Sequence, residues 1–300
     1  MGLSRLAAYV DTWDGARKAA AFKAGWPAKT RDDIAFFDTG KVQFRYRLRG
    51  QGPTIVFTAD PPVTLELYDE MIAHFSAHFR VVIFELPAMG FSAARASYGF
   101  GFRETNDEVA KFLEAVAGPQ AILAFSCVAG LAAVDIAARY PQLVSAMTLL
   151  QVTDWEGYKV WKAGRDPKKI LGKPFIGQVA MKRLAASRAP MWYDLVVGVR
   201  EKITPFCDCA AEAHAHGSGW KLASAYQRYL FDGASPLATP DQKTLVIWGK
   251  EDGSHGRQSI ERARHLARAA EVVELDDIGH FPELEDTKKA CEVITGFLAT

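Results

Sequence analysis

The chain has 300 residues, 49% of them hydrophobic and 24% charged, a composition that can bury a large core and does not suit intrinsic disorder. Lys and Arg total 36 against 35 Asp and Glu, so no basic surplus remains for phosphates and a nucleic-acid binder is excluded. No apolar run approaches the ~20 residues of a membrane span, the N-terminus lacks the apolar core of a secretory signal, and cysteines 127, 207, 209 and 291 are too sparse for a disulfide scaffold; a soluble cytoplasmic protein with free thiols is expected.

Residues 4–25 have helical composition, and residues 1–30 are expected to form an N-terminal helical extension. IAFFDTG and KVQFRYRLRGQG then read as two strands turning at Asp-Thr-Gly, with Val42, Phe44, Tyr46 and Leu48 alternating as in a half-exposed strand. TIVFTA (54–59) is a continuous apolar run, the pattern of a strand buried on both faces. A helical stretch (64–79) leads to the strand VVIFEL (81–86) and the loop PAMGFSAARASYGFGF. ETNDEVAKFLEAVAG places Val109, Phe112, Leu113 and Val116 on one helical face. AILAFS (121–126) is a further buried strand, followed by the small-residue helix VAGLAAVDIAARY, which stops before Pro141, and by the strand SAMTLLQV (145–152).

Strands alternating with helices imply a mostly parallel sheet with helices on both faces. The rhythm breaks over residues 153–240, which hold helical fragments and tryptophans 155, 161, 192 and 220 but no clear strand. It resumes with TLVIWG (244–249), a helix (257–269), VVEL (272–275) and a closing helix (283–298). The expected architecture is one α/β core, residues 31–152 and 241–300, interrupted after its sixth strand by a helical cap, residues 153–240.

The sharpest local feature is LAFSCVAGLAA (123–133), a strand that turns straight into a helix. Such a turn presents one side chain above the sheet, over the unpaired N–H groups of a helix N-terminus. The stretch has no Gly-x-Ser-x-Gly and offers two candidate nucleophiles, Ser126 and Cys127. Residues 40–300 as a whole resemble the capped branch of the α/β-hydrolase superfamily. ELPAMGFS (85–92) resembles that family's D-x-P-G-x-G-x-S loop. WGKED (248–252) resembles its W-G-x-x-D segment, and GHFPELED (279–286) its G-H-x-x-x-x-E segment. The chain order of nucleophile, acid and histidine is the one this fold uses. The resemblance implies Asp252 as the triad acid, with Asp154 as the fallback position, and His280 as the general base.

In the family the helix after the nucleophile commonly reads S-x-G-G-x-x-A, followed by A-A-R-Y-P. With Cys127 as nucleophile, Ala129 and Gly130 fall on the double glycine and AARYP on its counterpart without a gap. Ser126 needs an inserted residue, which would rotate the buried face of the helix by ~100°. The strand side points the other way, because Cys127 leaves Phe125 at the preceding small position where Ser126 would find Ala124. The ungapped helix weighs more, and Cys127 is the expected nucleophile.

An oxyanion hole needs two backbone donors. One is expected from Val128; in the family the other follows His-Gly at the end of the third strand. Here Thr58 and Ala59 stand for His-Gly, which makes Asp60 the second donor. Its carboxylate would oppose both an oxyanion and a thiolate, unless it points away, caps the following helix or binds a cationic or hydroxyl-bearing substrate group.

Other clusters carry less. Cys207, Cys209, His214 and His216 lack zinc-site spacing, His74 and His78 read as surface residues, and YGFGF is no phosphate loop; no metal and no cofactor is expected. A cysteine nucleophile exchanges one thioester for another in a nearly thermoneutral step. The expected function is therefore acyl transfer, by a thioesterase or acyltransferase, through an acyl-cysteine. Its partner would be a small acyl substrate carried on coenzyme A or an acyl carrier protein, under an aromatic cap. The alternatives are an ester or lactone hydrolase with the same triad, or an inactive ligand-binding protein on a hydrolase fold.

Overall fold

The hairpin expected near residue 40 forms between β1 (Ile34–Asp38) and β2 (Val42–Arg49), which pair antiparallel. Gly40 turns it at a φ of +90°, a conformation that a side chain disfavours. In this computed structural model, which describes residues 2–25, 31–215 and 221–300, the hairpin is one edge of a nine-stranded sheet. The other strands are β3 (Thr54–Ala59), β4 (Arg80–Glu85), the two-residue β5 (Ala93–Ala94), β6 (Ala121–Ala124), β7 (Val144–Leu150), β8 (Lys243–Gly249) and β9 (Ala270–Leu275). Their spatial order is β1-β2-β4-β3-β6-β7-β8-β9, with β5 against β2; every pairing from β4 to β9 is parallel. The mostly parallel sheet read from the sequence is present. The strand counted there as sixth is β7, because β5 intervenes in a stretch read as loop.

The chain lays down β3, moves outward to β4, and returns to place β6 on the other side of β3. The crevice at the carboxyl ends of β3 and β6 is therefore the switch point where an open α/β sheet binds ligands. Two apolar clusters sandwich the sheet. Val56 joins the one under helices Phe102–Phe112 and Gly130–Arg139, while Ile55 and Phe57 face the one under helices Asp69–Phe75 and Thr287–Ala299.

Strand β2 departs from its expected half-exposure. Arg45 and Arg47 on its second face are 4% and 3% exposed, because every guanidinium finds carboxylates. Arg45 pairs with Glu66 and Glu85, and Arg47 with Asp33 and Asp69. The N-terminal segment, two helices (Leu3–Thr12 and Gly15–Lys23), covers the same side, where Gln43 Nε2 donates to the carbonyl of Ala19 at 2.9 Å. The first of these helices also packs on Lys221–Arg228: Ser224 donates to the Asp11 carboxylate, and Arg228 to Ser4.

Between β7 and β8 lie helices Trp155–Arg165, Ile176–Val196, Ile203–Ala215 and Lys221–Arg228, the helical insertion that the sequence implied. Trp220 and His216 fall outside the described residues. Among the described residues no helix is long and apolar enough to cross a membrane.

Glu85 ends β4 and ties three segments together. Its carboxylate accepts from Arg45 at 3.0 Å, from the N–H of Phe91 at 2.7 Å and from that of Leu65 at 3.3 Å. Gly90 is pressed against it; a Cβ there would lie 2.3 Å from the Glu85 carboxyl carbon. Glu85→Ala would leave Arg45 with Glu66 alone and the buried N–H groups of Leu65 and Phe91 without their acceptor, at about 1–3 kcal/mol for each group left unsatisfied. Urea unfolding should show that loss, and a loss below about 1 kcal/mol would mean that the cluster does not hold the loop.

Candidate active site

The site is assembled from the loops that leave β3, β6, β8 and β9. Strand β6 ends at Ala124, and Ser126, still extended at φ −103°, bridges to Leu150. Cys127 follows at φ +50°, and a short 3-10 turn (Cys127–Ala129) starts the helix. A non-glycine residue at positive φ is strained, as expected of the residue that tops a strand-to-helix elbow. Gly130 cannot carry a side chain, because a Cβ would lie 2.3 Å from Val152.

Ser126 is tied down beneath. Its N–H donates to Thr58 Oγ1 at 3.1 Å and its hydroxyl to the Thr58 carbonyl at 3.3 Å. Thr58, read as the counterpart of a histidine, thus anchors β6 to β3. Phe125, the bulky residue at a small position, packs edge-on against Phe84 with ring centroids 5.6 Å apart. The core accommodates it, so the strand-side objection to Cys127 carries no steric weight.

His280 lies on the loop after β9, and Glu285 holds that loop. The Glu285 carboxylate accepts from the N–H groups of Gly198, Val199, Gly279 and Phe281 at 2.7–3.1 Å. The His280 N–H donates to the Val196 carbonyl at 2.7 Å. Its Nδ1–H donates to Asp252 Oδ2 at 2.6 Å. Asp252 is buried and also accepts from Gln151 Nε2 at 2.9 Å and the Ser254 N–H at 2.8 Å. Gln151, at φ +54°, is a positioning residue that the sequence did not single out. Asp154, the fallback acid, is elsewhere and caps helix Trp155–Arg165 by accepting from the Gly157 N–H at 2.7 Å.

Asp60 takes an unexpected place. Its carboxylate does not cap a helix; Oδ2 accepts from His280 Nε2 at 3.1 Å. Its N–H, the expected second oxyanion donor, instead donates to Tyr68 Oη at 3.3 Å. Asp60 follows β3 into a turn closed by Val63 N–H on the Asp60 carbonyl, with a cis bond between Pro61 and Pro62, and this turn delivers the N–H to Tyr68. Val128 does direct its N–H at the Cys127 sulfur. The described structure thus leaves one of the two expected donors at the elbow.

With a carboxylate at each nitrogen, the imidazole satisfies both only as the imidazolium. Burial alone would lower the His280 pKa, but Asp252, Cys127 and the hydrogen bonds to Asp252 and Asp60 raise it well above the ordinary value. Burial alone would raise Asp252; the His280 charge and hydrogen bond outweigh it and bring the carboxyl to about 2. Burial, then the Asp60 charge, push the Cys127 thiol up, against the opposing pull of His280. One donor atom from each of Asp60, Cys127 and His280 lies within 4.8 Å of the others.

The insertion closes the site. Trp192 meets the His280 ring edge-on at 6.1 Å, and Trp161 stacks on His255, which stacks on His280 at 5.8 Å. Burial lowers His255 to about 4, so it is neutral. Tyr158 is buried with its hydroxyl against the Cys127 sulfur. Glu283 is buried near Asp60 and His280, and burial raises it to about 8. Tyr158 and His255 lay in composition that reads only as aromatic or turn-forming, and no sequence signal marked them. Cys127 is 5% and His280 1% exposed. Cys207, Cys209 and His214 are not among the described groups whose donor atoms converge; Cys209 contacts Thr64 at 3.3 Å instead.

A family model of the alpha/beta hydrolase fold matches residues 57–169. A search of curated proteins finds no match. Among solved structures, a putative epoxide hydrolase from Klebsiella pneumoniae is similar at a TM-score of 0.74 and 16% identity, over 90% of this chain and 98% of that one. Cfl2 from Burkholderia cenocepacia is similar at 0.73 and 17%, over 88% and 95%. A putative lipase from Acinetobacter baumannii is similar at 0.67 and 15%, over 94% and 95%. Epoxide hydrolase and lipase are names for different reactions, so the likeness bears on fold and leaves the reaction to the site.

The sign of the thiol shift sets a pH dependence. A thiol pKa raised above its ordinary value keeps Cys127 protonated at pH 7, and alkylation by iodoacetamide should speed up as pH rises. Asp60→Asn removes a charge that opposes the thiolate, and it should raise the pH 7 rate. An unchanged rate would mean that the Asp60 charge is not felt at the sulfur.

Proposed function

The chain has the α/β-hydrolase fold, and from that premise we propose an acyl-transfer enzyme that uses Cys127 as nucleophile, His280 as proton carrier and Asp252 to orient it. The observation that carries this reading is the elbow: Cys127 stands at positive φ with its sulfur among the His280 and Asp60 donors, while Ser126 is hydrogen-bonded to Thr58. Cys127 gives its proton to the Asp60–His280 pair as sulfur bonds to the acyl carbon. The pair returns that proton to the leaving group as its bond to the acyl carbon breaks. The Val128 N–H and the helix N-terminus face the developing oxyanion. Water, an alcohol or an amine then takes the acyl group from sulfur.

Thioester donors suit a thiol best, since the first step exchanges like for like. Ester and lactone hydrolysis by the same residues is the variant reading. One observation favours a binding protein on this fold: the Asp60 N–H is spent on Tyr68, which leaves the oxyanion hole half-built. Intact-protein mass spectrometry after brief exposure to acyl thioesters of several chain lengths separates these readings. A stoichiometric adduct is expected, retained in Ser126→Ala and lost in Cys127→Ala. Asp252→Asn should slow its formation by up to about 10⁴-fold, as loss of a triad acid does. An adduct lost in Ser126→Ala and retained in Cys127→Ala would overturn the assignment, and no adduct with any donor would favour the binding role.

A further inference from the structure

We propose that Asp60, Cys127 and His280 form a zinc-binding site, and that zinc there silences the thiol. The three donors are a carboxylate oxygen, a sulfur and an imidazole nitrogen, all within 4.8 Å of one another, and this is the ligand set from which tetrahedral zinc sites are made. Three protein ligands leave the fourth position open for water. Tyr158 is buried with its hydroxyl at the Cys127 sulfur, on the same side of the group.

The outer shell is already in place. His280 donates Nδ1–H to Asp252 at 2.6 Å, the carboxylate–histidine arrangement that orients a metal-binding imidazole through its other nitrogen. Gln151 and the Ser254 N–H fix Asp252 in turn. Asp252, His255 and His280 also converge within 4.8 Å. That second group is the poorer site, because a metal there would displace the three donors that Asp252 already accepts. At the Asp60 group a metal replaces contacts among its own ligands, Asp60–His280 and Cys127–His280.

The exchange balances. One divalent cation replaces the Sγ–H proton of Cys127 and the Nε2–H proton of His280, both of which pass to solvent, and no redox partner is needed. Thiolate and carboxylate supply two negative charges against the dication. The silencing rests on the nucleophilic role given to Cys127 above; the binding does not.

Cobalt(II), a spectroscopic probe for such a site, would be titrated into the full chain after treatment with a chelator. One equivalent should give thiolate-to-cobalt charge transfer and the intense visible bands of tetrahedral cobalt, and zinc should abolish both. Zinc should also block iodoacetamide at Cys127 until a chelator is added. Cys127→Ser should remove the charge-transfer band. Asp60→Asn should weaken zinc by more than the roughly tenfold that loss of even an outer-shell partner costs. Wild-type protein that gives no cobalt bands overturns the site whatever the variants do. So do bands that survive Cys127→Ser, or that require Cys207 or Cys209 instead. Acyl-adduct formation in chelator reads the nucleophilic role separately: adduct without cobalt bands sinks the zinc site alone, and cobalt bands without adduct sink the acyl-transfer reading alone.

Discussion

The His280 imidazole lies between two carboxylates, Asp252 at 2.6 Å and Asp60 at 3.1 Å, and the chemistry of the site depends on this arrangement. A neutral imidazole can donate from one nitrogen only, so two acceptors hold the ring as a cation at rest. The cation supports a thiolate, while burial and the Asp60 charge oppose it. Cys127 is consequently a thiol held next to the imidazolium that favours its ionisation.

Two buried glutamates build the frame for that contact. Glu85 gathers Arg45 and the N–H groups of Leu65 and Phe91, and so fixes the segment that follows Asp60 to β2 and to the loop after β4. Glu285 collects four N–H groups around the His280 loop. Each satisfies backbone donors that burial would otherwise leave unpaired, a penalty that a carboxylate acceptor removes more effectively than a neutral one. The loops that carry Asp60 and His280 are therefore held from several sides. Tyr158, Trp161 and Trp192 of the helical insertion pack around Cys127, His255 and His280.

Much of the fold was legible in the residues. TIVFTA, AILAFS and TLVIWG lie in central parallel strands, because doubly buried strands need unbroken apolar runs. The meeting of Asp252 and His280 was legible because two segments that resemble family motifs place each just beyond such a strand. Strand β2 was misread: alternation predicts an exposed face unless long-range carboxylates cover its arginines, and those carboxylates come from residues 33, 66, 69 and 85. The choice between Ser126 and Cys127 was read from helix spacing. The structure places Cys127 at positive φ and gives Ser126 a partner in Thr58.

By itself the sequence determined the order of strands and helices, the position of the insertion and the residue types at the ends of β6, β8 and β9. Those properties follow from periodicity and turn chemistry, which act over a few neighbours in the chain. Tertiary structure alone decided that Asp60 turns its carboxylate to His280 and its N–H to Tyr68, that Gln151 steadies Asp252, that Tyr158 reaches the thiol and that His255 stacks on His280. Those contacts join residues as far apart as 60 and 280, and the direction of a hydrogen bond between them depends on the packing that brings the loops together.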